Sequence, residues 1–205
     1  MNLPNPPLLL ITDRTMIRTS LDEVVGRAFD GGCRWVMIRE KDLKTQERLN
    51  LVETILKVAE PYKAKVLVNS DLQAAKIADG VHIPQGQSCK NARLILGPDK
   101  VIGISAHTAD EIRIGANDGA NYATISPIFA SLSKPDYGPL INLEGLRYVV
   151  SDTNLPIIGL GGITEFTAYL CRCAGASGIA VMGAIMRSEN PSRTFNKLLE
   201  KWYGN

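Results

Sequence analysis

The chain is 205 residues long and 45% apolar, enough to bury one sizeable core and short for two. Its 23 Lys and Arg against 21 Asp and Glu leave a formal charge of +2, which excludes a broad basic footprint for nucleic acid or for an anionic membrane. Any positive charge with a function must therefore be local.

Apolar runs alternate with helical spacing from end to end. Leu8 to Thr12 reads as a strand, and Leu21 to Gly31 as a helix whose Val24, Val25, Ala28 and Phe29 share a face before a Gly-Gly stop. The pattern repeats with strand Trp35 to Ile38 and helix Thr45 to Ala59, then strand Lys65 to Val68 and helix Leu72 to Ala78. Strand Val81 to Ile83 precedes a weak, polar helix near Lys90 to Leu96. Strand Val101 to Ile104 leads to helix Ala109 to Asn117, and strand Tyr122 to Ile125 to helix Leu143 to Val150. Two glycine-bearing units close the chain, Leu155 to Thr164 and Ser177 to Met186, each read as a short strand that stops at glycine and turns at once into a helix.

Continuous apolar runs without polar alternation suit parallel strands covered on both faces. Eight such units predict an α/β fold, a closed (β/α)8 TIM barrel forming one domain over residues 1–205, with a doubly wound open sheet as the runner-up. The longest loop, Ala130 to Ile141, follows the sixth strand and so falls on the face where barrel enzymes keep their chemistry. Cys33, Cys89, Cys171 and Cys173 have no Cys-x-x-Cys spacing, so neither a zinc site nor a disulfide scaffold is indicated, and a reducing cytoplasm is expected. The segment Met1 to Pro7 lacks the basic and apolar parts of a signal peptide, and no stretch has the length of a membrane span.

Polar residues gather at the expected strand ends. Arg39, Glu40 and Lys41 follow the second strand, Asn69 the third, His82 and Gln85 the fourth, Ser105 and His107 the fifth, and Lys134 lies in the loop after the sixth. Arg39, Lys41 and Lys134 on one rim, beside neutral donors, describe a pocket for a multiply charged anion such as pyrophosphate. A second phosphate is expected at Gly161, Gly162 and Gly183, where backbone N–H groups stand clear of side chains. Glu40 also reads as a wall residue paired with a neighbouring cation, His82 as a satisfied structural histidine, and Asp13 as a turn cap. His107, at a helix start by the barrel mouth, sits where function is expected.

In order and spacing, Leu9 to Asp13, Ile38-Arg-Glu-Lys41, Asp79-Gly-Val-His-Ile83, Ile102 to His107, Ser126-Pro-Ile-Phe129 with Lys134, and both glycine motifs resemble the thiamine phosphate synthase family and its relative, the TenI thiazole tautomerase. The resemblance implies a transferase that joins a phosphorylated pyrimidine, hydroxymethylpyrimidine pyrophosphate, to a thiazole phosphate and releases pyrophosphate, with Mg2+ as cofactor. Carried over by position, Arg39, Lys41, Asn69, Ser105 and Lys134 fall on the pyrophosphate and pyrimidine site. Gly161, Gly162, Met182 and Gly183 fall on the thiazole-phosphate site, and Ser131 and Ser133 stand where synthases carry two threonines.

Departures from the synthase pattern concentrate on the metal and the pyrimidine. Met37 replaces a glutamine, and the acids expected after Asn69 and after the fourth strand are Ser70 and Gln87, with Asp71 as a substitute ligand that also fits a helix N-cap. The tautomerase pattern lacks its histidine, because Pro127 stands there, although Glu40 is present. Three readings follow: a synthase with an altered metal site, a thiazole phosphate tautomerase, and a phosphate-ligand binding protein on the same scaffold.

Overall fold

A computed structural model describes residues 3–131 and 138–204. Its eight strands are β1 (Leu8–Ile11), β2 (Trp35–Ile38), β3 (Lys65–Asn69), β4 (Gly80–Ile83), β5 (Val101–Ala106), β6 (Tyr122–Ile125), β7 (Ile157–Leu160) and β8 (Gly178–Val181). All pair in parallel with their sequence neighbours, and β1 also pairs with β8, so the sheet closes into a barrel. The open sheet is thereby excluded, and the (β/α)8 TIM barrel is the fold of this chain.

Strand alternation sorts the side chains into two cores. Leu9, Ile11, Trp35, Met37, Leu67, Tyr122, Ile158 and Ala180 fill the barrel interior. Their strand neighbours Leu8, Leu10, Val36, Ile38, Val66 and Val68 belong to the outer layer, under the helices. Inside, the Trp35 and Tyr122 rings meet edge to face at 4.8 Å between centroids. A Cβ at Gly103 would lie 2.1 Å from the Tyr122 ring, so glycine is what admits the phenol to the interior.

The outer ring holds α1 (Leu21–Asp30), α2 (Thr45–Ala59), α3 (Leu72–Ile77), α4 (Cys89–Leu96), α5 (Ala109–Asn117), α6 (Asn142–Ser151), α7 (Ala168–Cys173), α8 (Gly183–Met186) and α9 (Pro191–Tyr203). The expected elements sit within a residue or two of these bounds except near the C-terminus. After β7 the chain runs through an irregular segment before α7 begins at Ala168, so this strand does not turn at once into a helix. Thr164 and Thr167 fill that gap, with Thr167 Oγ1 accepting from Thr164 N–H at 2.9 Å.

Beyond the four-residue α8 comes α9, an element outside the expected series. Its signals are local: Asn190 accepts from Arg193 N–H at 3.0 Å, Pro191 opens the helix, and Gly204 closes it in the left-handed region at φ 85°. Pro191, Phe195, Leu198 and Trp202 form its buried face. The Gly-Gly stop after α1 has a tertiary cause, since a Cβ at Gly31 would lie 2.3 Å from the carbonyl oxygen of Ser192 in α9.

No helix among the described residues is long and apolar enough to cross a membrane. All four cysteines are unpaired, three buried and Cys173 exposed.

Candidate active site

The first two strand ends are tied together by Glu40. Only 3% exposed, it accepts from Thr12 Oγ1 at 2.6 Å and from the Arg14 backbone N–H at 3.0 and 3.2 Å. Thr12 in turn accepts from the Arg39 N–H at 3.0 Å. The alternation that sends Trp35 and Met37 into the barrel continues to Arg39, which follows directly on the strand at the mouth. Met37 packs as an interior apolar residue.

A cavity of about 300 Å³ opens beside the β2, β3 and β4 ends, lined by Glu40, Lys41, Arg48, Asn69, Ser70, Pro84 and Gln87. Lys41 and Asn69 therefore share one wall, as their order in the sequence suggested. Ser70 takes a positive φ of 60°, which turns the chain from β3 toward α3. Asp71 is the N-cap of α3, its Oδ1 accepting from the Gln73 and Ala74 N–H groups at 3.0 Å each. Its Oδ2 accepts from Arg48 Nη1 at 2.6 Å. Burial raises the Asp71 pKa, but the Ala74 N–H and the Arg48 guanidinium outweigh it and hold the carboxyl below its ordinary value.

At the next strands the interior is polar. Asn69 and His82 are register partners, and the His82 ring bridges Tyr122 Oη, 2.9 Å from Nδ1, to Ser105 Oγ, 2.9 Å from Nε2. His82 is 2% exposed, and burial pushes its pKa down to about 3, so it stands neutral and orients Ser105. His107 Nδ1 lies 2.6 Å from the Ser126 carbonyl, which can only accept, so Nδ1 carries the proton. The His107 N–H donates to Glu111 at 2.7 Å, and Gln85 donates to the same carboxylate at 2.5 Å, which holds Gln85 on the rim.

The last two strand ends bring Gly161, Gly162, Met182 and Gly183 to the same mouth, but each glycine has its own reason. Gly161 and Gly162 have φ of 97° and 64°, and a Cβ on Gly162 would lie 2.4 Å from the Ala130 carbonyl oxygen. Gly162 thus serves a strained turn packed against the β6 loop as well as leaving backbone accessible. At Gly183 the space for a Cβ is filled by the Arg187 guanidinium, 2.2 Å away, whose Nη1 also reaches Met16 Sδ at 3.3 Å. Ser131 begins the β6 loop, while Ser133 and Lys134 lie outside the described residues. The loop base is fixed by Ile141 N–H to the Pro127 carbonyl at 2.8 Å.

A larger cavity, about 510 Å³, lies at the other end of the barrel among Arg113, Asn117, Ser151 and Asp152. It is remote from every group above, and the smaller cavity is the one that meets them.

Known proteins resemble this chain over most of its length. A family model described as thiamine monophosphate synthase covers residues 8–185, from β1 into α8. The chain belongs to this family. A thiamine-phosphate synthase of Moorella thermoacetica is 38% identical over 181 residues, 87% of this chain and 86% of that protein. A thiamine-phosphate synthase of Clostridium botulinum is 36% identical over 95% of this chain and 97% of its own length. The solved structure of a thiamine phosphate pyrophosphorylase from Pyrococcus furiosus superposes with a TM-score of 0.86 at 28% identity, covering 96% of this chain and 95% of that one.

Hard divalent ions take oxygen ligands, with one or two carboxylates beside the substrate phosphates. Among the described residues no three His, Cys, Asp or Glu side chains come together as a metal site. The cavity wall offers Lys41, Arg48, an amide from Asn69, the Ser70 hydroxyl and Gln87, while Glu40 is committed to Thr12 and Arg14 and Asp71 to its helix and Arg48. Among the described residues, this donor set does not fit a magnesium ion held by protein carboxylates.

Sequence reasoning missed Arg48 and Arg187. Arg48 in α2 and Arg187, just past the end of α8, each read as a solvated charge, and only packing brings them to the mouth.

Proposed function

We propose that this member of the thiamine monophosphate synthase family joins hydroxymethylpyrimidine pyrophosphate to a thiazole phosphate, giving thiamine phosphate and pyrophosphate. The observation that carries the reading is the barrel mouth itself. Arg39, Lys41, Asn69 and Ser105 stand at the ends of β2, β3 and β5 by a polar cavity, in a chain whose relatives named thiamine-phosphate synthase align over nearly its whole length.

In this reading the bond from the pyrimidine methylene carbon to the pyrophosphate oxygen breaks first, with both electrons leaving on oxygen. The thiazole nitrogen then donates its lone pair to the methylene cation. Such chemistry asks for stabilisation of the departing charge more than for proton transfer. Arg39 and Lys41, with Lys134 from the loop, are assigned to the leaving pyrophosphate. Asn69 and Ser105 donate to the pyrimidine pyrophosphate, and His82 keeps Ser105 aimed. Ser131, Ser133 and His107 are assigned as further donors to the substrates, and the thiazole phosphate is assigned to Gly161, Gly162, Met182 and Gly183. In related enzymes Mg2+ supplies charge at the pyrophosphate; among the described residues the donors here do not fit it, and Arg39 and Lys41 carry that charge instead.

The tautomerase reading needs Glu40 as an acid or base, and Glu40 is committed to three hydrogen bonds that join two loops. That favours the synthase. Four free thiols fit a reducing cytoplasm as its setting.

Purified protein given both precursors should form thiamine phosphate, detected by oxidation to its fluorescent thiochrome. Absence of product, together with conversion of a thiazole carboxylate phosphate between its tautomers, would replace the synthase reading.

A further inference from the structure

Arg48 occupies an unusual place for a cation in the first turn of the surface helix α2. Its side chain is 16% exposed, and it lines the cavity with Lys41 and Asn69. Three acceptors fix it: Asp71 Oδ2 at 2.6 Å from Nη1, and the Leu43 and Glu40 carbonyls at 2.6 and 3.4 Å from Nη2. A guanidinium so held is a preorganised planar donor with no rotamer freedom left to lose on meeting an oxyanion. The acid that could have held a metal in the same turn is the one Arg48 neutralises.

Resting on the synthase reading, the geometry points to Arg48 as a pyrophosphate-binding residue that takes the place of a protein-held divalent ion. The Arg48–Asp71 pair is then a built-in substitute for a metal and its carboxylate. It holds the guanidinium in place as a directional donor toward the leaving group and makes pyrophosphate binding nearly independent of Mg2+. Removing Arg48 would do more than weaken binding: it would release Asp71 Oδ2, an oxygen that a divalent ion can use.

Titration calorimetry with inorganic pyrophosphate tests this in EDTA and in excess Mg2+. Wild-type protein should bind with affinities within about threefold in the two conditions. Arg48→Ala should bind at least tenfold more weakly in EDTA and recover a substantial part of that loss in Mg2+. A purely structural role for Arg48 would not create such a metal dependence. Affinity for a simple phosphate monoester at the glycine-rich end should stay within about threefold of wild type, which keeps unfolding from counting as support. If the alanine variant fails to fold, Arg48→Gln keeps donors for the two carbonyls while losing the charge, and carries the same expectation. Wild-type binding that requires Mg2+, or variants that bind pyrophosphate as wild type does in EDTA, would overturn the proposal while leaving the synthase reading standing. No pyrophosphate binding in either condition, with no thiamine phosphate formed, would remove both.

Discussion

His82 shows how a single buried side chain can be structural and still serve the site. Its folded pKa, about 3, lies below the ordinary 6.5, so as pH falls the unfolded chain binds the proton first. The stability it confers is complete above about pH 6.5 and declines below it, by about 1.4 kcal/mol per pH unit from this group alone. Urea unfolding of wild type at pH 7.5 and 5 is expected to reveal a loss of about 2 kcal/mol that His82→Gln lacks. Equal pH dependence in both proteins would mean that the ring already takes up a proton in the fold. The glycines divide at the same scale. Gly162→Ala brings a Cβ against a backbone oxygen at a positive φ and is expected to cost about 1–3 kcal/mol of stability. Gly183→Ala meets only the movable end of Arg187, so its melting temperature should stay near wild type while phosphate binding falls.

Strand ends become a site only when neighbouring elements are pinned to one another. Glu40 does this for β1 and β2, joining Thr12 and the Arg14 backbone, and through Thr12 the Arg39 N–H. Glu40→Ala leaves these donors buried or poorly paired and is expected to cost about 1–3 kcal/mol, visible in thermal melts. Glu40→Gln retains one acceptor oxygen, so it should be milder in stability and should keep much of the synthase rate. Complete loss of turnover in a well-folded Glu40→Gln protein would instead make Glu40 a proton-transfer group and revive the tautomerase reading. The same logic holds for α3, where Asp71 caps the helix and anchors Arg48 together.

For the whole molecule, closure is secured from outside as well as by the β1 and β8 ladder. Helix α9 lays Phe195, Leu198 and Trp202 against the barrel's helical layer and meets α1 at Gly31. Each such side chain contributes about 1.5–3 kcal/mol on burial, so together they approach the entire net stability of an ordinary domain. A chain ending at Asn190 should therefore show no cooperative thermal transition by circular dichroism, although every strand and every assigned site residue is retained. A sharp melt within a few degrees of the full chain would show that α9 is dispensable.

The eight strand and helix units were legible in the sequence because their signals are local: apolar runs of strand length, helical spacing, and polar or glycine punctuation. The barrel fixes the order of strand ends around its mouth, so Lys41 and Asn69 on one cavity wall, and Ser105 beside them, could be anticipated from order alone. What only the tertiary structure decided lies in contacts between distant residues. Arg48 meets Asp71 across 23 positions and Arg187 meets Met16 across 171, and neither charge differs in its local sequence from an ordinary solvated one. Glycine motifs likewise announced a special backbone, but a missing Cβ looks the same in sequence whether it admits a ligand, a carbonyl or a guanidinium. Packing chose the Ala130 oxygen at Gly162 and Arg187 at Gly183, because close approach depends on what the fold brings alongside.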